Sequence, residues 1–213
     1  MRAKTYKIIT DRLLIRCYRP EDAPLLQKAI DESIDHLKPW MPWTIQEPER
    51  IEDKYHRLQQ FKSEFDNGVD YAFGIFNKDE TFLLGSTGLH TRIGPDAREI
   101  GYWIHADYLR KGFAIEAVSA LIKVAFEIEG INQIEIHCTS DNIRSQGIPK
   151  RLGFLHELTI NNTSPSEAGE NRYDEMVWCL TKEAYAQSDL ANTSIQAYNS
   201  TNQLIFPFPS PSS

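Results

Sequence analysis

Cysteine is scarce in this sequence. Among its 213 residues are only three cysteines, Cys17, Cys138 and Cys179, which are far apart and lie in apolar or β-like segments. An odd number of widely spaced cysteines predicts neither a disulfide framework nor a zinc site. We therefore expect a protein of a reducing, cytoplasmic compartment that binds no metal.

Long apolar segments and excess positive charge are also absent. No segment approaches the roughly 18 apolar residues that a membrane-spanning helix needs, so no membrane association is predicted. Residues 1–5 lead directly into an alternating segment rather than into the apolar core of a secretory signal. The formal net charge of −7 argues against binding to nucleic acid and mildly favours a cationic partner.

Hydrophobic spacing predicts an α/β (α+β) chain with a mixed, mostly antiparallel central sheet of about seven strands and helices on both faces. Strands are predicted over residues 6–17 (with a kink), 71–76, 82–90, 99–104, 133–138, 154–160 and 173–180. Helices are predicted after Pro20 and over residues 48–65, 112–128 and 142–152. This domain spans residues 1–186. Residues 187–213 are rich in Ser, Asn, Gln and Pro and are expected to form a low-complexity, flexible or loosely docked tail.

One segment with chemical content runs from Glu99 to Ala117. It is a strand followed by a short loop, in which Arg110, Lys111 and Gly112 open a helix. Free amides and the dipole at a helix start favour an anion, and glycine lets a ligand approach the backbone closely. Neither common phosphate-loop motif with several glycines occurs here. The alternative is an ordinary junction between loop and helix with solvated charges.

A second segment runs from Cys138 to Phe154, with Asn142 at the end of a strand and Ser145 in the first turn of a helix. Together the two segments resemble motifs A and B of the GNAT superfamily of N-acetyltransferases, and the pattern N-x-x-S with a trailing Leu-Gly-Phe is especially similar to the RimJ/RimL branch. Further similar stretches are residues 10–16, 37–43, 99–103 and 173–178, so that the resemblance covers roughly residues 6–185.

The resemblance implies a GNAT fold in which parallel strands 4 and 5 splay apart to admit the pantetheine arm of acetyl-CoA. It implies transfer of acetyl from acetyl-CoA, as co-substrate, to a primary amine through a ternary complex. That amine is expected to be a protein N-terminus, as in ribosomal proteins. The alternatives are a small amine (a polyamine, an antibiotic or an amino-acid derivative) and a non-catalytic acyl-CoA-binding module. Relatives often form homodimers, and an aromatic edge strand around Trp178 would permit one.

The resemblance also assigns the cofactor site. Its expected residues are Trp103, Ile104, Arg110, Lys111, Gly112, Phe113, Ala114, Asn142, Ser145 and Lys150. One departure is Leu109, which stands where many relatives have Gln or Arg. Arg110 or Lys111 could supply the charge instead, and Arg144 and Arg151 add to the basic set.

Catalytic roles follow from the needs of acyl transfer to an amine. Glu99 is expected to act as the base through water. The resemblance places Ser145 where relatives have a hydroxyl near the CoA sulfur, so that Ser145 is expected to protonate the leaving thiolate. The alternatives are a salt-bridged carboxylate for Glu99 and a helix cap for Ser145. Residues expected to line the acceptor pocket are Trp40, Trp43 and Tyr102, with one of the two tryptophans serving packing instead. His90 and His137, in β-like segments, are interpreted as packed histidines.

Overall fold

Ten β-strands form one sheet in the computed structural model, which describes residues 4–164 and 173–207. In chain order they are β1 (Lys7–Ile9), β2 (Leu13–Cys17), β3 (Tyr71–Asn77), β4 (Leu83–His90), β5 (Ala97–Ile104), β6 (Gln133–Thr139), β7 (Leu155–Ser164), β8 (Tyr173–Thr181), β9 (Gln196–Tyr198) and β10 (Leu204–Phe206). Their spatial order is β10-β9-β1-β2-β3-β4-β5-β6-β8-β7. All neighbours are antiparallel except β5 and β6, which are parallel. The mixed sheet and its single parallel pair confirm the predicted fold, although the sheet has ten strands rather than about seven.

Helices cover both faces of this sheet. They are α1 (Ala23–Asp31), α2 (Ile34–Leu37), α3 (Ile51–Asn67), α4 (Phe113–Lys123), α5 (Ile143–Arg151) and α6 (Lys182–Ala186). The helix α4 continues as a π-helical turn over Val124–Glu129, and a short 3-10 helix covers Pro42–Gln46. Gly68 ends α3 with a φ of 72°, a left-handed conformation that glycine adopts without steric cost.

Alternation along the strands divides the core into two layers. Successive strand residues point to opposite faces, so a strand covered on both faces is apolar at nearly every position. In β2, Leu14 belongs to the layer that contains Leu26 of α1 and Leu58 of α3. Its neighbour Leu13 belongs to the other layer, which contains Leu121 of α4. The sheet is thus enclosed between α1 and α3 on one side and α4 on the other.

The predicted single kinked strand over residues 6–17 is instead a hairpin of β1 and β2. The Thr10 amide donates to the Leu13 carbonyl at 3.1 Å, and the Leu13 amide donates to the Thr10 hydroxyl at 3.1 Å. These two bonds close a turn through the exposed residues Asp11 and Arg12. Polar residues between two apolar segments therefore mark a reversal of the chain rather than a kink.

The expectation of a flexible or loosely docked tail does not hold for residues 187–207. β9 pairs antiparallel with β1, and β10 pairs with β9. Ile195, Ala197 and Phe206 are buried in the main core. A few apolar residues at inward-facing positions are enough to hold a polar segment, and average composition hides such spacing. The end of the Phe-Pro segment, residues 208–213, lies outside the described residues.

Trp178 does not lie on an edge strand, as the sequence suggested. It belongs to β8, which pairs with β6 on one side and β7 on the other, and it is buried. The strand next to it, β7, ends the sheet. The homodimer therefore remains a prediction, but an aromatic edge strand around Trp178 no longer supports it. None of the helices in the described ranges combines the length and apolar character that crossing a bilayer requires.

Candidate active site

The parallel strands β5 and β6 separate after a short paired stretch. They pair only over Ala97–Glu99 and Gln133–Glu135, although β5 continues to Ile104 and β6 to Thr139. Among the residues that the structure describes, no strand pairs with the facing edges of β5 and β6 beyond Glu99 and Glu135. The backbone groups of such edges suit an extended ligand that carries amides of its own.

A cavity of about 570 Å³ lies at this gap, between the N-terminal ends of α4 and α5; we call it the helix-end cavity. Its lining residues are His36, Trp40, Met41, Tyr102, Ile104, Tyr108, Leu109, Arg110, Gly112, Phe113, Ala114, Ile115, Asp141, Asn142, Ile143, Arg144, Ser145, Ile148 and Arg151. Both segments that the sequence singled out therefore meet in one place. The wall from His36 to Met41 was not predicted to lie here, apart from Trp40, which was expected at the acceptor pocket.

The start of α4 is shaped to bind an anion. Arg110 and Gly112 both adopt left-handed conformations, with φ of 61° and 82°, and Gly112 caps the helix. The first amides of a helix have no partner within it, and the helix dipole adds positive potential there. Alternating backbone conformations of this kind turn successive amides into a shared concavity. The residues present therefore fit a diphosphate.

A second cavity, of about 750 Å³, lies on the other side of Tyr102; we call it the aromatic cavity. Its lining residues are Tyr18, Leu26, Ile30, Met41, Pro42, Trp43, Arg57, Phe61, Ala72, Ser86, Thr87, His90, Arg92, Gly101, Tyr102, Trp103 and Glu175. Met41 and Tyr102 line both cavities, so the two spaces adjoin. This arrangement has room for two substrates, one on each side of a common wall.

Comparison with known proteins decides the family. Residues 12–155, more than half of the chain, match the acetyltransferase (GNAT) domain family. The chain belongs to the GNAT acetyltransferases. It is an acetyl-CoA-dependent N-acetyltransferase of the RimJ/RimL-like branch.

Similar proteins support this placement. The uncharacterized N-acetyltransferase YoaA of Bacillus subtilis is 27% identical over 179 residues, covering 81% of this chain and 95% of its own length. The [ribosomal protein uS5]-alanine N-acetyltransferase of Escherichia coli is 28% identical over 161 residues, covering 71% and 79%. Among solved structures, the microcin C7 self-immunity acetyltransferase MccE, in complex with acetyl-CoA and AMP, has the same fold, with a TM-score of 0.72, 21% identity, and 81% and 93% coverage.

Seven of the ten cofactor residues expected in this GNAT protein line the helix-end cavity. They are Ile104, Arg110, Gly112, Phe113, Ala114, Asn142 and Ser145. The side chain of Trp103 lies instead on the aromatic cavity, where its ring centroid is 6.3 Å from that of Trp43. Of the expected acceptor residues, Trp43 and Tyr102 line the aromatic cavity, whereas Trp40 lines only the helix-end cavity.

Lys111 and Lys150 do not line the helix-end cavity. Lys111 lies over the Tyr108 ring, with Nζ 4.5 Å from its centroid. Lys150 donates to Gln146 at 3.1 Å and lies over the Trp178 ring. Positions 144, 148 and 151 share one face of α5 at helical spacing, and position 150 falls on another. Arg110, Arg144 and Arg151 therefore provide the cavity's cationic side chains.

The loop Arg110–Gly112, which is the expected phosphate loop of this GNAT protein, is braced by a residue that sequence reasoning missed. Arg12, in the turn between β1 and β2, donates from Nη1 to the Lys111 carbonyl at 2.8 Å and from Nε to Glu116 at 2.6 Å. Its guanidinium lies 4.6 Å from the centroid of the Phe113 ring. Glu116 also accepts from the Thr10 hydroxyl at 2.6 Å. The hairpin turn thereby holds the first turn of α4 in position.

Ser145 lines the helix-end cavity and contacts Tyr102, which lines both cavities. Asn142, not Ser145, caps α5, because its Oδ1 accepts from the Ser145 amide at 3.1 Å. The Ser145 hydroxyl instead lies 3.2 Å from the Tyr102 hydroxyl, which also reaches the Ser145 carbonyl at 3.1 Å. Burial raises the pKa of Tyr102, so its hydroxyl keeps its proton at neutral pH.

Glu99 is held in an ion pair and lines neither cavity. It is 7% exposed, and both of its carboxylate oxygens accept from Arg92, the Nε to Oε2 distance being 2.6 Å. Burial acts to raise the pKa of Glu99, but the hydrogen bond and charge of Arg92, with His137 and His90, hold it below its ordinary value. Arg92 lines the aromatic cavity, so Glu99 faces that space only through its partner.

Proposed function

We propose that this protein acetylates the N-terminal amine of a protein substrate, with acetyl passing directly from acetyl-CoA in a ternary complex. The observation that carries the proposal is the common wall of Tyr102 and Met41 between the helix-end cavity and the aromatic cavity. Because the two cavities adjoin at these residues, a substrate in one cavity can react directly with a substrate in the other, and no covalent enzyme intermediate is needed. The E. coli relative that acts on ribosomal protein uS5 supports a protein acceptor.

In this proposal the helix-end cavity holds the cofactor. The amides at the start of α4, from Arg110 to Ala114, bind the diphosphate, and Arg144 and Arg151 add charge. The unpaired edges of β5 and β6 beyond Glu99 accommodate the pantetheine arm. When bound, acetyl-CoA would supply an activated acetyl group, and Tyr102 and Ser145 are the residues that would act on its thioester end.

Ser145 is proposed as the proton donor to the departing sulfur. Its hydroxyl lies on the helix-end cavity, and the capping function that competed for it belongs to Asn142. The neutral Tyr102 hydroxyl, 3.2 Å away, orients the Ser145 hydroxyl or replenishes its proton. The proposed role of Glu99 as base is less well supported, because Arg92 occupies both carboxylate oxygens.

We also propose a cytoplasmic location, because Cys17, Cys138 and Cys179 all carry free thiols. Burial raises the pKa of the Cys17 thiol to about 12 and that of Cys179 to about 11. Both thiols therefore stay protonated and poorly reactive in a reducing compartment.

The deciding experiment measures acetyl-CoA affinity by calorimetry and then release of the CoA thiol with a panel of acceptors. The panel contains peptides with Ala, Ser and Met at the N-terminus, each beside its N-acetylated counterpart, and a set of small amines that includes spermidine and free amino acids. Release with a free peptide and not with its blocked counterpart supports the proposal. Release with small amines alone would replace it by small-amine acetylation, and tight binding without any release would identify a binding module.

A further inference from the structure

His90, at the end of β4, faces the aromatic cavity. Its ring lies across two glycines that pair with each other, Gly88 of β4 and Gly101 of β5. A Cβ atom at Gly88 would come within 2.7 Å of the ring nitrogen Nε2, and one at Gly101 within 3.2 Å. The two glycines therefore leave space for the ring to lie flat on the sheet, with Nε2 beside the residue that precedes Tyr102.

Asp70 fixes the other ring nitrogen. Its Oδ2 lies 2.7 Å from Nδ1 of His90, and its Oδ1 accepts from the Thr91 amide at 3.3 Å. Burial acts to raise the pKa of Asp70, but the bonds from His90 and the backbone hold it below its ordinary value. An ionised Asp70 accepts a hydrogen bond from the protonated Nδ1, so that in the neutral ring the Nε2 lone pair carries no proton. Within residues 4–164 and 173–207, Nε2 has no hydrogen-bond partner.

We propose that His90 is the proton acceptor of the amine substrate, through Nε2, and that Asp70 is its positioning residue; this rests on the proposed function. As the amine nitrogen bonds to the acetyl carbonyl carbon, its proton passes to Nε2 directly or through one water. The carbon–sulfur bond breaks, and the sulfur takes a proton from the Ser145 hydroxyl. Ser145 then regains a proton from solvent by way of the Tyr102 hydroxyl, and His90 releases its proton to solvent from the aromatic cavity, so that both groups return to their starting states.

His90 suits this role better than Glu99, its direct cross-strand neighbour. Both oxygens of Glu99 are bound by Arg92, and Glu99 does not line the cavity, whereas His90 lines it. The charged and titratable groups that face His90 or line the same cavity are Asp70, Arg92, Glu99, Glu175, Arg57, Tyr18, Tyr102 and, through Glu99, His137. Arg57 and Arg92 are themselves paired with Glu49 and Glu99.

The first test needs no acceptor. ¹⁵N NMR of the ring nitrogens in the full chain, assigned by comparison with His90→Gln, reports which nitrogen carries the proton. We expect a neutral ring at pH 8 with the proton on Nδ1 and none on Nε2. A proton on Nε2, or a ring that stays doubly protonated at that pH, would overturn the proposal, because neither form can accept a proton from an amine.

The second test uses whichever amine of the panel the wild type acetylates. His90→Gln should lower kcat/KM for the amine by about 100-fold, the usual range for loss of a general base, while KM for acetyl-CoA is unchanged. The loss should persist as pH rises past the amine's own pKa, about 8 for an N-terminus, because the nitrogen of a free amine still has to lose a proton when its bond to the carbonyl carbon forms. Asp70→Asn should lower the same constant less and alter the acid limb of its pH profile. Imidazole should partly restore His90→Ala.

The matched control is His137→Gln. His137 also lies in a strand with a carboxylate 2.7 Å from a ring nitrogen, that of Glu135, but it lines neither cavity. Equal rates for His90→Gln and His137→Gln, or a loss of activity carried by Glu99→Gln alone, would refute the role of His90. If the wild type releases no CoA with any amine, the proposed function fails, and the NMR result still decides the protonation state that His90 needs.

Discussion

The hydroxyl of Tyr102 lies 3.2 Å from that of Ser145, and this contact joins β5 to α5 at the point where the helix-end cavity and the aromatic cavity adjoin. The two residues are 43 positions apart in the chain. The contact crosses the gap between the separating strands, where no strand hydrogen bonds connect β5 to β6. A hydroxyl relay therefore stands where the proposed reaction releases a thiolate.

Ser145→Ala should lower kcat by about 100-fold and change the acetyl-CoA Kd by less than about threefold, because it removes a proton donor rather than a phosphate contact. Tyr102→Phe should have a smaller effect of the same kind. Single-turnover kinetics and calorimetry measure the two quantities separately. Ser140→Ala is the control, since Ser140 precedes α5 but lines neither cavity. A normal kcat in Ser145→Ala would exclude the donor role.

The brace between Arg12 and the phosphate loop predicts a positioning effect. Arg12→Ala removes the bonds to the Lys111 carbonyl and to Glu116 without removing a residue that lines the cavity. Looser amides at the start of α4 should raise the acetyl-CoA Kd by about three- to tenfold, which is about 0.7–1.4 kcal/mol. Calorimetry provides the measurement. Lys62→Ala, which breaks an exposed ion pair with Asp66 on α3, should leave the Kd unchanged.

Two adjacent basic residues of α5 separate the geometric assignment from the one based on sequence. Arg151 lines the helix-end cavity, whereas Lys150 is bound to Gln146 and lies over Trp178. Arg151→Ala should weaken acetyl-CoA binding severalfold and reduce its salt dependence, because one cation near the phosphates is lost. Lys150→Ala should do neither. Titrations at two salt concentrations decide, and a larger effect at Lys150 would favour the prediction made from sequence.

The parts of the fold predicted from sequence are those with strong local signals. Alternating apolar residues located β3 to β6, and the Arg110–Gly112 turn indicated where α4 begins. The sequence also indicated that a strand ends near Asn142 and that Ser145 lies in the first turn of the next helix. The resemblance to the GNAT family implied that both segments lie at one cofactor site, and the structure places them at one cavity.

The features that sequence reasoning missed depend on distant partners. Arg12 and Glu116 are 104 positions apart, and His90 and Asp70 are 20 apart, so no local pattern identifies either pair. The orientation of Lys150 could have been found, because helical spacing from Arg144 selects position 151 rather than 150. In the C-terminal segment, polar composition concealed a few inward-facing apolar residues.

Docking of this C-terminal segment predicts a measurable share of stability. Phe206 is buried against the main core, whereas Leu204, two residues earlier in β10, is 40% exposed. Phe206→Ala should lower the free energy of unfolding by about 3 kcal/mol, and Leu204→Ala by less than about 1 kcal/mol. Denaturant titration measures both. Equal stabilities of Phe206→Ala and the wild type would mean that the segment does not pack on β1 in solution.

The ion pair of Glu99 and Arg92 predicts a pH-dependent contribution to stability. The pKa of Glu99 lies below its ordinary value of 4.5, so the carboxylate stabilises the fold above about pH 4.5, and this contribution is lost as pH falls through the folded-state pKa. Because the Arg92 side chain is 62% exposed, the effect is expected to be modest. The difference in melting temperature between wild type and Glu99→Gln should therefore be widest near pH 7 and should narrow below about pH 4.5. Glu52→Gln, at an exposed position of α3, is the control and should follow the wild type at every pH. A gap that widens towards low pH would require the pKa of Glu99 to lie above its ordinary value in the folded protein, and such a carboxyl would again be a candidate for proton transfer.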